Sequence, residues 1–252
     1  MTLTHILVFV VAALLYLVLL PGRWRAWALF AGSVVAIYWL QPATRIRDLD
    51  FIFPTATLAL AGLAWVITRA PDQRWTRDDS AAVGVAAGLV IALSAGRYLA
   101  ESVRITPSRP PDTLSVAIAV LAAIAILALV DRLPGGKRRQ IVPAMLLILA
   151  LFVVLKTAPL AEEASRWLRR QAGQPESLAS AAELEWLGFS YVAFRLIHTL
   201  RDRQTGRLPA LSLREFITYA IFFPAFTAGP IDRAERFLPD LRDLPGPDAA
   251  RL

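Results

Sequence analysis

Cysteine is absent from this chain of 252 residues, and histidine and methionine each occur only twice. The absence of cysteine excludes disulfides, thiolate nucleophiles and cysteine-ligated metals. The two histidines, His5 and His198, leave few candidates for a proton-transferring imidazole. The chain also lacks the motifs of serine hydrolases, P-loop nucleotide-binding proteins, zinc proteases and dinucleotide-binding folds. We therefore predict no metal site and no bound cofactor.

Apolar residues dominate what is present. They make up 56% of the chain, and the mean hydropathy is +0.52, whereas a soluble domain contains roughly 45–50% apolar residues. They form blocks close to the length of a membrane-crossing helix, which needs about 18 residues or more. Eight such blocks cover residues 3–20, 26–40, 51–68, 81–99, 113–130, 141–157, 186–200 and 213–228. The sequence therefore predicts an all-α fold, a polytopic transmembrane bundle of about seven or eight membrane segments.

The charge balance is basic, with 27 Lys and Arg against 20 Asp and Glu and a formal net charge of +7. The arginines flank the apolar blocks, a position typical of anchoring to anionic lipid head groups. We therefore predict that the chain contacts a lipid bilayer, with no nucleic-acid partner. The expected location is the cell membrane, the inner membrane in a bacterium, as a multi-pass protein.

Four regions follow from this pattern. Residues 1–157 are predicted to be scaffold helices, and residues 158–183 an interfacial amphipathic helix with a linker. Residues 186–241 carry the most informative motifs, and residues 242–252 are interpreted as a loop or truncated end. The amphipathic helix has an apolar face and a basic face, formed respectively by Leu160, Ala164, Trp167 and Leu168 and by Arg166, Arg169 and Arg170. A solvent-exposed connector helix explains the same pattern equally well.

Ionisable residues inside the seventh block are the first candidates for a site. Arg195, His198 and Asp202 are spaced three and four residues apart, so they share one face of a helix. Such residues within a membrane helix are functional candidates, facing the bundle interior or a cavity. The alternative is that His198 lies near the end of the span and reaches interfacial water, while its neighbours extend their charged groups to the interface.

The eighth block ends in an unusual break, which provides the second set of candidates. Pro224, Gly229 and Pro230 interrupt the helix and are followed directly by Asp232 and Arg233. In lipid, such a break is tolerated where protein or a water-filled cavity satisfies the freed backbone groups. The segment is therefore predicted to bend into a polar cavity. The alternative is a span that ends normally in a charged cap.

These two segments resemble the membrane-bound O-acyltransferase family. The sequence Leu187-Gly188-Phe189-Ser190-Tyr191, followed by Phe194-Arg195, is similar to the family's "GISFYTF" helix, and Asp202 precedes a basic turn as it does there. The next segment is similar to the family pattern "F..Y..FFP...AGPI.R...F". Its matching residues are Phe216, Tyr219, Phe222, Phe223, Pro224, Ala228, Gly229, Pro230, Ile231, Arg233 and Phe237. Within the family, the two segments most resemble the bacterial branch, which includes alginate O-acetylation and teichoic-acid D-alanylation proteins.

The resemblance implies transfer of an acyl group from a thioester to a hydroxyl of a cell-wall or exopolysaccharide acceptor. The donor would be an acyl-CoA or an acyl-carrier protein, and a periplasmic acyl-transfer protein is a further expected partner. In the family, the catalytic histidine lies downstream of the second motif, which here means beyond Leu252. We therefore assign no catalytic residue and expect this chain to be the N-terminal portion of such an enzyme. The expected substrate-tunnel residues are Arg195, His198, Asp202, Pro224, Gly229, Pro230, Asp232 and Arg233.

Two other functions remain open at this level. The chain could be a catalytically incomplete scaffold or partner subunit that retains the front half of the fold. It could also be a small transporter, because broken helices beside polar residues also form transport sites. Absence of an inverted repeat argues against a transporter.

Overall fold

The structure is a computed structural model that describes residues 3–70, 72–99, 105–133, 138–227, 229 and 231–243. Over these residues the chain forms helices and connecting loops, with no β-strand. The predicted all-α fold class, a helical membrane bundle, is confirmed. The ten α-helices among them are α1 Leu3–Leu19, α2 Gly22–Trp39, α3 Leu49–Thr68, α4 Arg77–Leu99, α5 Thr113–Arg132, α6 Arg138–Lys156, α7 Ala158–Gln171, α8 Phe189–Gln204, α9 Leu213–Ala220 and α10 Ala234–Arg242.

The first six predicted blocks agree closely with helices α1 to α6. Among the described residues, four segments have the length and composition of a full membrane span, namely Leu49–Thr68, Arg77–Gly96, Thr113–Arg132 and Arg139–Lys156. The apolar part of α1 is shorter, at Leu7–Leu19. Helix α2 begins with Arg23 and Arg25 in its first turn, which interrupts its apolar character.

The last two predicted blocks form shorter helices than a continuous span. Helix α8 has 16 residues, a length of about 24 Å at 1.5 Å per residue, against a hydrocarbon core of about 30 Å. Helix α9 has only eight residues and is followed by a turn and a short 3-10 helix, Phe223–Ala225. Helix α9 is short because Pro224 has no N–H with which to donate to the carbonyl of Ala220 and continue the helix.

Helix α3 is the centre of the bundle and positions the two motif segments. It packs against α5, α6, α8 and α9. Trp65, which is 1% exposed, donates from its indole nitrogen to the carbonyl of Leu211, 3.0 Å away, just before α9. Near the middle of α3, Thr57 accepts a hydrogen bond from the indole of Trp186 at 2.9 Å. One buried helix therefore fixes the entrances of both α8 and α9.

The amphipathic helix α7 forms where it was expected, but its arginines do not present a free basic face. Arg169 is buried and pairs with Glu183. Arg166 and Arg170 pair with acidic residues on the surface. The buried side of the helix carries Ala161, Ser165 and Arg169, whereas Leu160 and Trp167 are exposed. The short-range spacing of charges could not reveal that Glu183, fourteen residues away along the chain, would reach back to Arg169.

The linker between α7 and α8 is held in place by buried polar contacts. Glu183 accepts hydrogen bonds from Arg169 Nε at 2.8 Å and from Ser165 Oγ at 2.7 Å. Gln41, which follows α2, donates to the carbonyl of Glu185 at 2.7 Å and accepts from the amide of Leu187 at 3.2 Å. The chain therefore enters α8 along a fixed path.

Acidification is expected to loosen this linker. The hydrogen bonds from Arg169 are the main reason why the pKa of the Glu183 carboxyl lies below its ordinary value. A lowered folded-state pKa stabilises the fold above the unfolded-state value, about 4.3 for Glu, and this contribution disappears as the pH falls through the folded-state pKa. We expect protease cleavage within residues 172–187 to become about tenfold faster or more once the pH falls below the folded-state pKa of Glu183. Glu183→Gln should accelerate cleavage at pH 7 as well.

Limited proteolysis of the protein in detergent, followed by mass spectrometry of the fragments, checks this. Glu176→Gln is the matched control, because Glu176 pairs with Arg170 on the surface, where ion pairs contribute little. Equal cleavage of the Glu183→Gln and Glu176→Gln proteins would contradict the assigned role of the buried pair.

Candidate functional site

The start of α9 is anchored by several independent contacts. Ser212 and Glu215 form a capping box, in which each side chain binds the backbone N–H of the other residue. Asp79, at the start of α4, accepts a hydrogen bond from the amide of Leu213 at 2.7 Å. Helix α10 is tied to the same end, because Arg242 donates to Glu215 at 2.7 Å. The short helix therefore has a fixed position despite its length.

The end of α9 is where Arg195 acts. This residue lies on α8, is 3% exposed, and donates to the carbonyl of Ala220 at 3.2 Å and to that of Ala225 at 3.1 Å. Both carbonyls lie at the break, where the helical ladder is interrupted. Arg195 thus satisfies backbone acceptors that would otherwise be unpaired in an apolar surrounding. Its guanidinium also lies 5.9 Å from the centroid of the Tyr219 ring, within range of a cation–π interaction.

A glycine and an aromatic ring join the two motif segments. Gly188 is the N-cap of α8, with a φ of 70° in the left-handed region. A Cβ atom at this position would lie 2.6 Å from ring carbons of Phe226, which is 2% exposed. Only glycine adopts this backbone without strain and also admits the ring. The close approach packs the segment after the break directly onto the start of α8.

Gly229 shows a second close approach within the break. A Cβ atom there would collide with the Cβ and backbone of Ala225. The chain therefore folds back on the 3-10 helix at a distance that excludes a side chain. Two neighbouring motif residues, Ala228 and the predicted tunnel residue Pro230, lie outside the residues that the structure describes.

The break encloses a cavity of about 170 Å³. Arg195 and the acidic residue Asp232 bring charge to its wall. The cavity is lined by Arg195, Tyr219, Phe222, Ala225, Asp232 and Phe237. Ligand pockets usually have volumes of about 300–1,000 Å³, so this space can hold only a small group or a few water molecules.

Asp202 and Arg233 lie beside this cavity and form an ion pair. Asp202 is 7% exposed, and its carboxylate lies 3.8 Å from a guanidinium nitrogen of Arg233. Tyr219 donates from its hydroxyl to the backbone carbonyl of Asp232 at 2.8 Å. The carboxylate of Asp232 accepts from the amide of Arg233 at 2.9 Å. The residues after the break are thus tied to α8 by charge and to α9 by the tyrosine.

The three residues predicted to share one face of α8, Arg195, His198 and Asp202, do not have the same surroundings in the structure. Arg195 and Asp202 are buried and face the break, as their shared helix face requires. His198 is only half-buried and is not among the residues that line the cavity. Its Nδ1 atom is shielded from solvent and has no hydrogen-bond partner within the described part of the chain. Pro224 is also outside the cavity, and it lines a separate apolar groove against α1 and α2.

Four aromatic residues belong to the site although they were not chosen as candidates from the sequence. Tyr219, Phe222 and Phe237 are part of the motif and pack together, with ring centroids 5.5 Å and 5.0 Å apart around Phe237. Their spacing in the motif was a usable signal. No sequence signal identified Phe226, because its contact with Gly188 joins positions 38 residues apart.

Comparison with known proteins indicates a relationship to acyltransferases. No protein-family model matches the chain, and no solved structure matches it. The chain is 38% identical over 65 residues to a teichoic acid D-alanyltransferase of Lacticaseibacillus rhamnosus, covering 26% of this chain and 16% of that protein. It is 36% identical over 75 residues to the teichoic acid D-alanyltransferase of Streptococcus thermophilus, covering 30% and 18%. The same-named protein of Bacillus subtilis is 34% identical over 58 residues, covering 23% and 15%.

Part of this chain is related to acyltransferases. The matched segments span less than a fifth of the length of these relatives. The comparison therefore supports a relationship to acyltransferases of this kind over a short segment.

Proposed function

We propose that this chain forms part of the substrate tunnel of a membrane-bound O-acyltransferase of the bacterial inner membrane. The reaction moves an acyl group from a thioester, carried by coenzyme A or an acyl-carrier protein, to a hydroxyl of a cell-wall polymer or exopolysaccharide. The acceptor oxygen bonds to the acyl carbon, the C–S bond breaks, and the hydroxyl proton passes through a base to the leaving thiolate. No residue of this chain is assigned as that base.

The observation that carries this proposal is the convergence of the two motif segments on one cavity. Residues that match the family pattern, Arg195, Tyr219 and Phe237, meet there although they are up to 42 positions apart. The similarity to D-alanyltransferases supports the same reading. The cavity volume of about 170 Å³ favours a small reacting group over a polymer segment. We propose that Arg195 orients this group and that the Asp202–Arg233 pair keeps the cavity wall in position.

The test is acyl transfer by the full-length protein in membranes, measured with a labelled acyl thioester donor and the cell's own surface polymer. Gly229→Leu is expected to lower the rate at least about 100-fold, because misplacing a reacting group by about 1 Å costs that much and the new side chain collides with Ala225. The matched control is Gly88→Leu on α4, where a Cβ atom meets nothing within 4 Å.

The outcome separates the three functions. Transfer by the parent and by Gly88→Leu, with loss in a membrane-inserted Gly229→Leu protein, supports the acyltransferase. Unchanged transfer by Gly229→Leu contradicts the role of the break. No transfer by the parent with any thioester would favour a scaffold or partner subunit, and solute flux in vesicles would favour a transporter.

A further inference from the structure

A second and larger space lies away from the candidate site, between α1 and α2. This groove has a volume of about 660 Å³ and runs from the α1–α2 turn to the 3-10 helix at Phe223. Its lining is almost entirely apolar, and Leu15 and Leu19 contribute to it although each is more than half exposed. The groove therefore opens on the outer surface of the bundle. The volume is within the range of about 300–1,000 Å³ that is usual for ligand sites.

One polar atom in the groove lacks a partner. Tyr16 lines the groove, and its hydroxyl is shielded from solvent and has no hydrogen-bond partner among the described residues. A buried hydroxyl without a partner is less stable than a paired one. A ligand that brings an acceptor oxygen to this point would remove that penalty.

The position of Tyr16 along α1 indicates which acceptor this is. Pro21 separates α1 from α2, and the exposed residues Arg23 and Trp24 lie in the first turn of α2, a composition typical of the membrane interface. Tyr16 lies three residues before Leu19, the last residue of α1, or about 4.5 Å deeper along the helix. The head-group layer is about 5–7 Å thick on each side of the hydrocarbon core. With the start of α2 at the membrane surface, Tyr16 would be level with the ester carbonyls of glycerolipids.

The charge at the open end of the groove indicates the head group. Arg23 and Arg25 lie in the first turn of α2 at this end, and α1 and α2 contain no acidic residue. Arg25 is buried and donates to the carbonyls of Leu17 and Leu20 at 3.1 Å and 3.0 Å, which fixes the turn. Arg23 is exposed on the same turn, where a cation attracts the phosphate of an anionic lipid.

We propose that this groove binds one acyl chain of an anionic glycerophospholipid. The chain lies along α1 and α2 toward Phe223, and Tyr16 donates a hydrogen bond to the ester carbonyl. The phosphate is next to Arg23. Since Phe223 and Pro224 line the groove while Phe222 and Ala225 line the cavity, the bound chain supports the outer side of the break. The lipid-binding proposal does not rest on the proposed acyl transfer.

The experiment is native mass spectrometry of the intact protein in mild detergent. It is titrated with phosphatidylglycerol, with phosphatidylcholine of equal chain length, and with a diether phosphatidylglycerol that lacks ester carbonyls. We expect one tightly bound phosphatidylglycerol. Gly32→Leu should lower its affinity more than about tenfold, because the new side chain displaces about two methylene groups, each worth about fourfold. Gly32 lines the groove, and a Cβ atom there meets nothing within 4 Å.

Two further variants test the assigned contacts. Tyr16→Phe should weaken the ester lipid about three- to tenfold and leave the diether lipid unchanged. Arg23→Gln should remove the preference for phosphatidylglycerol over phosphatidylcholine. Gly84→Leu on α4, where a Cβ atom also meets nothing within 4 Å, is the control and should bind like the parent.

Several results would overturn the proposal. Equal lipid binding by the parent and Gly32→Leu would show that the groove is not the site, and an equal effect of Tyr16→Phe on ester and diether lipids would remove the carbonyl contact. A photo-crosslinking residue at Ala13, inside the groove, should capture lipid. Capture of a second copy or of another protein segment there would identify a different occupant and contradict the lipid.

Discussion

Gly188→Ala is expected to lower the stability of the protein more than any other single methyl addition at a described glycine with positive φ. The left-handed backbone costs an L-residue about 1–2 kcal/mol. The new methyl would also lie 2.6 Å from the ring of Phe226, and forcing extra atoms into a packed core costs about 1–3 kcal/mol. The total expected decrease in the free energy of unfolding is about 2–5 kcal/mol.

The chain supplies matched controls for the two contributions. Gly173 and Gly206 also have positive φ, at 65° and 76°, but a Cβ atom at either position meets nothing within 4 Å. Gly173→Ala and Gly206→Ala should therefore cost only the backbone strain. Unfolding in detergent, followed by tryptophan fluorescence, gives the three values on the same scale.

A double variant isolates the contact with the ring. Phe226→Leu alone should destabilise the protein, since it removes buried aromatic area. The double variant Gly188→Ala/Phe226→Leu should be less destabilised than the sum of the single variants, because the methyl then replaces ring atoms. Additive effects, or equal losses for Gly188→Ala and Gly173→Ala, would refute the assigned packing between the two motif segments.

Arg195→Met is expected to cause the second large effect. Methionine fills the space of the side chain but donates no hydrogen bond, so the carbonyls of Ala220 and Ala225 lose their donor. A buried acceptor left unpaired costs about 1–3 kcal/mol, which gives about 2–6 kcal/mol for both. Acyl transfer by the full-length protein should fall at least about 100-fold, because the wall of the cavity moves and the reacting group loses the guanidinium that we propose orients it.

The controls distinguish support of the backbone from a direct role in the reaction. Arg201→Met on the same helix should change stability by less than about 0.5 kcal/mol, because Arg201 is exposed and its guanidinium donates to the side chain of Gln204 at 3.1 Å. Arg195→Lys should recover part of the stability, since one ammonium group can satisfy one of the two carbonyls. A stable Arg195→Met protein without transfer would assign Arg195 to the substrate and reject its role in holding the break.

The importance of Arg195 could be anticipated from its position, whereas its task could not. The sequence places it in an apolar helix, three residues before His198 and seven before Asp202, so a shared face was predictable. The acceptors are backbone carbonyls 25 and 30 residues away. Backbone groups carry no residue-type signature, and a contact at that separation depends on how α8 and α9 pack.

The eighth apolar block illustrates the same limit. Its composition over residues 213–228 is compatible with a membrane span, and Pro224 and Gly229 indicated a break within it. The helix ends at Ala220, four residues before the proline. That end is stabilised by Arg195 from another helix, so local propensity could not locate it.

The sequence by itself determined the membrane class, the helical fold and the bounds of the first six helices, because these depend on long apolar blocks and on turn residues that act locally. It also placed the candidate site between residues 186 and 241, through a motif. Only the tertiary structure decided that Gly188 receives Phe226 and that Arg195 closes the break. It alone showed His198 outside the cavity and the Tyr16 hydroxyl without a partner beside an apolar groove, among the described residues. These features arise from contacts between distant segments, which a helical pattern does not encode.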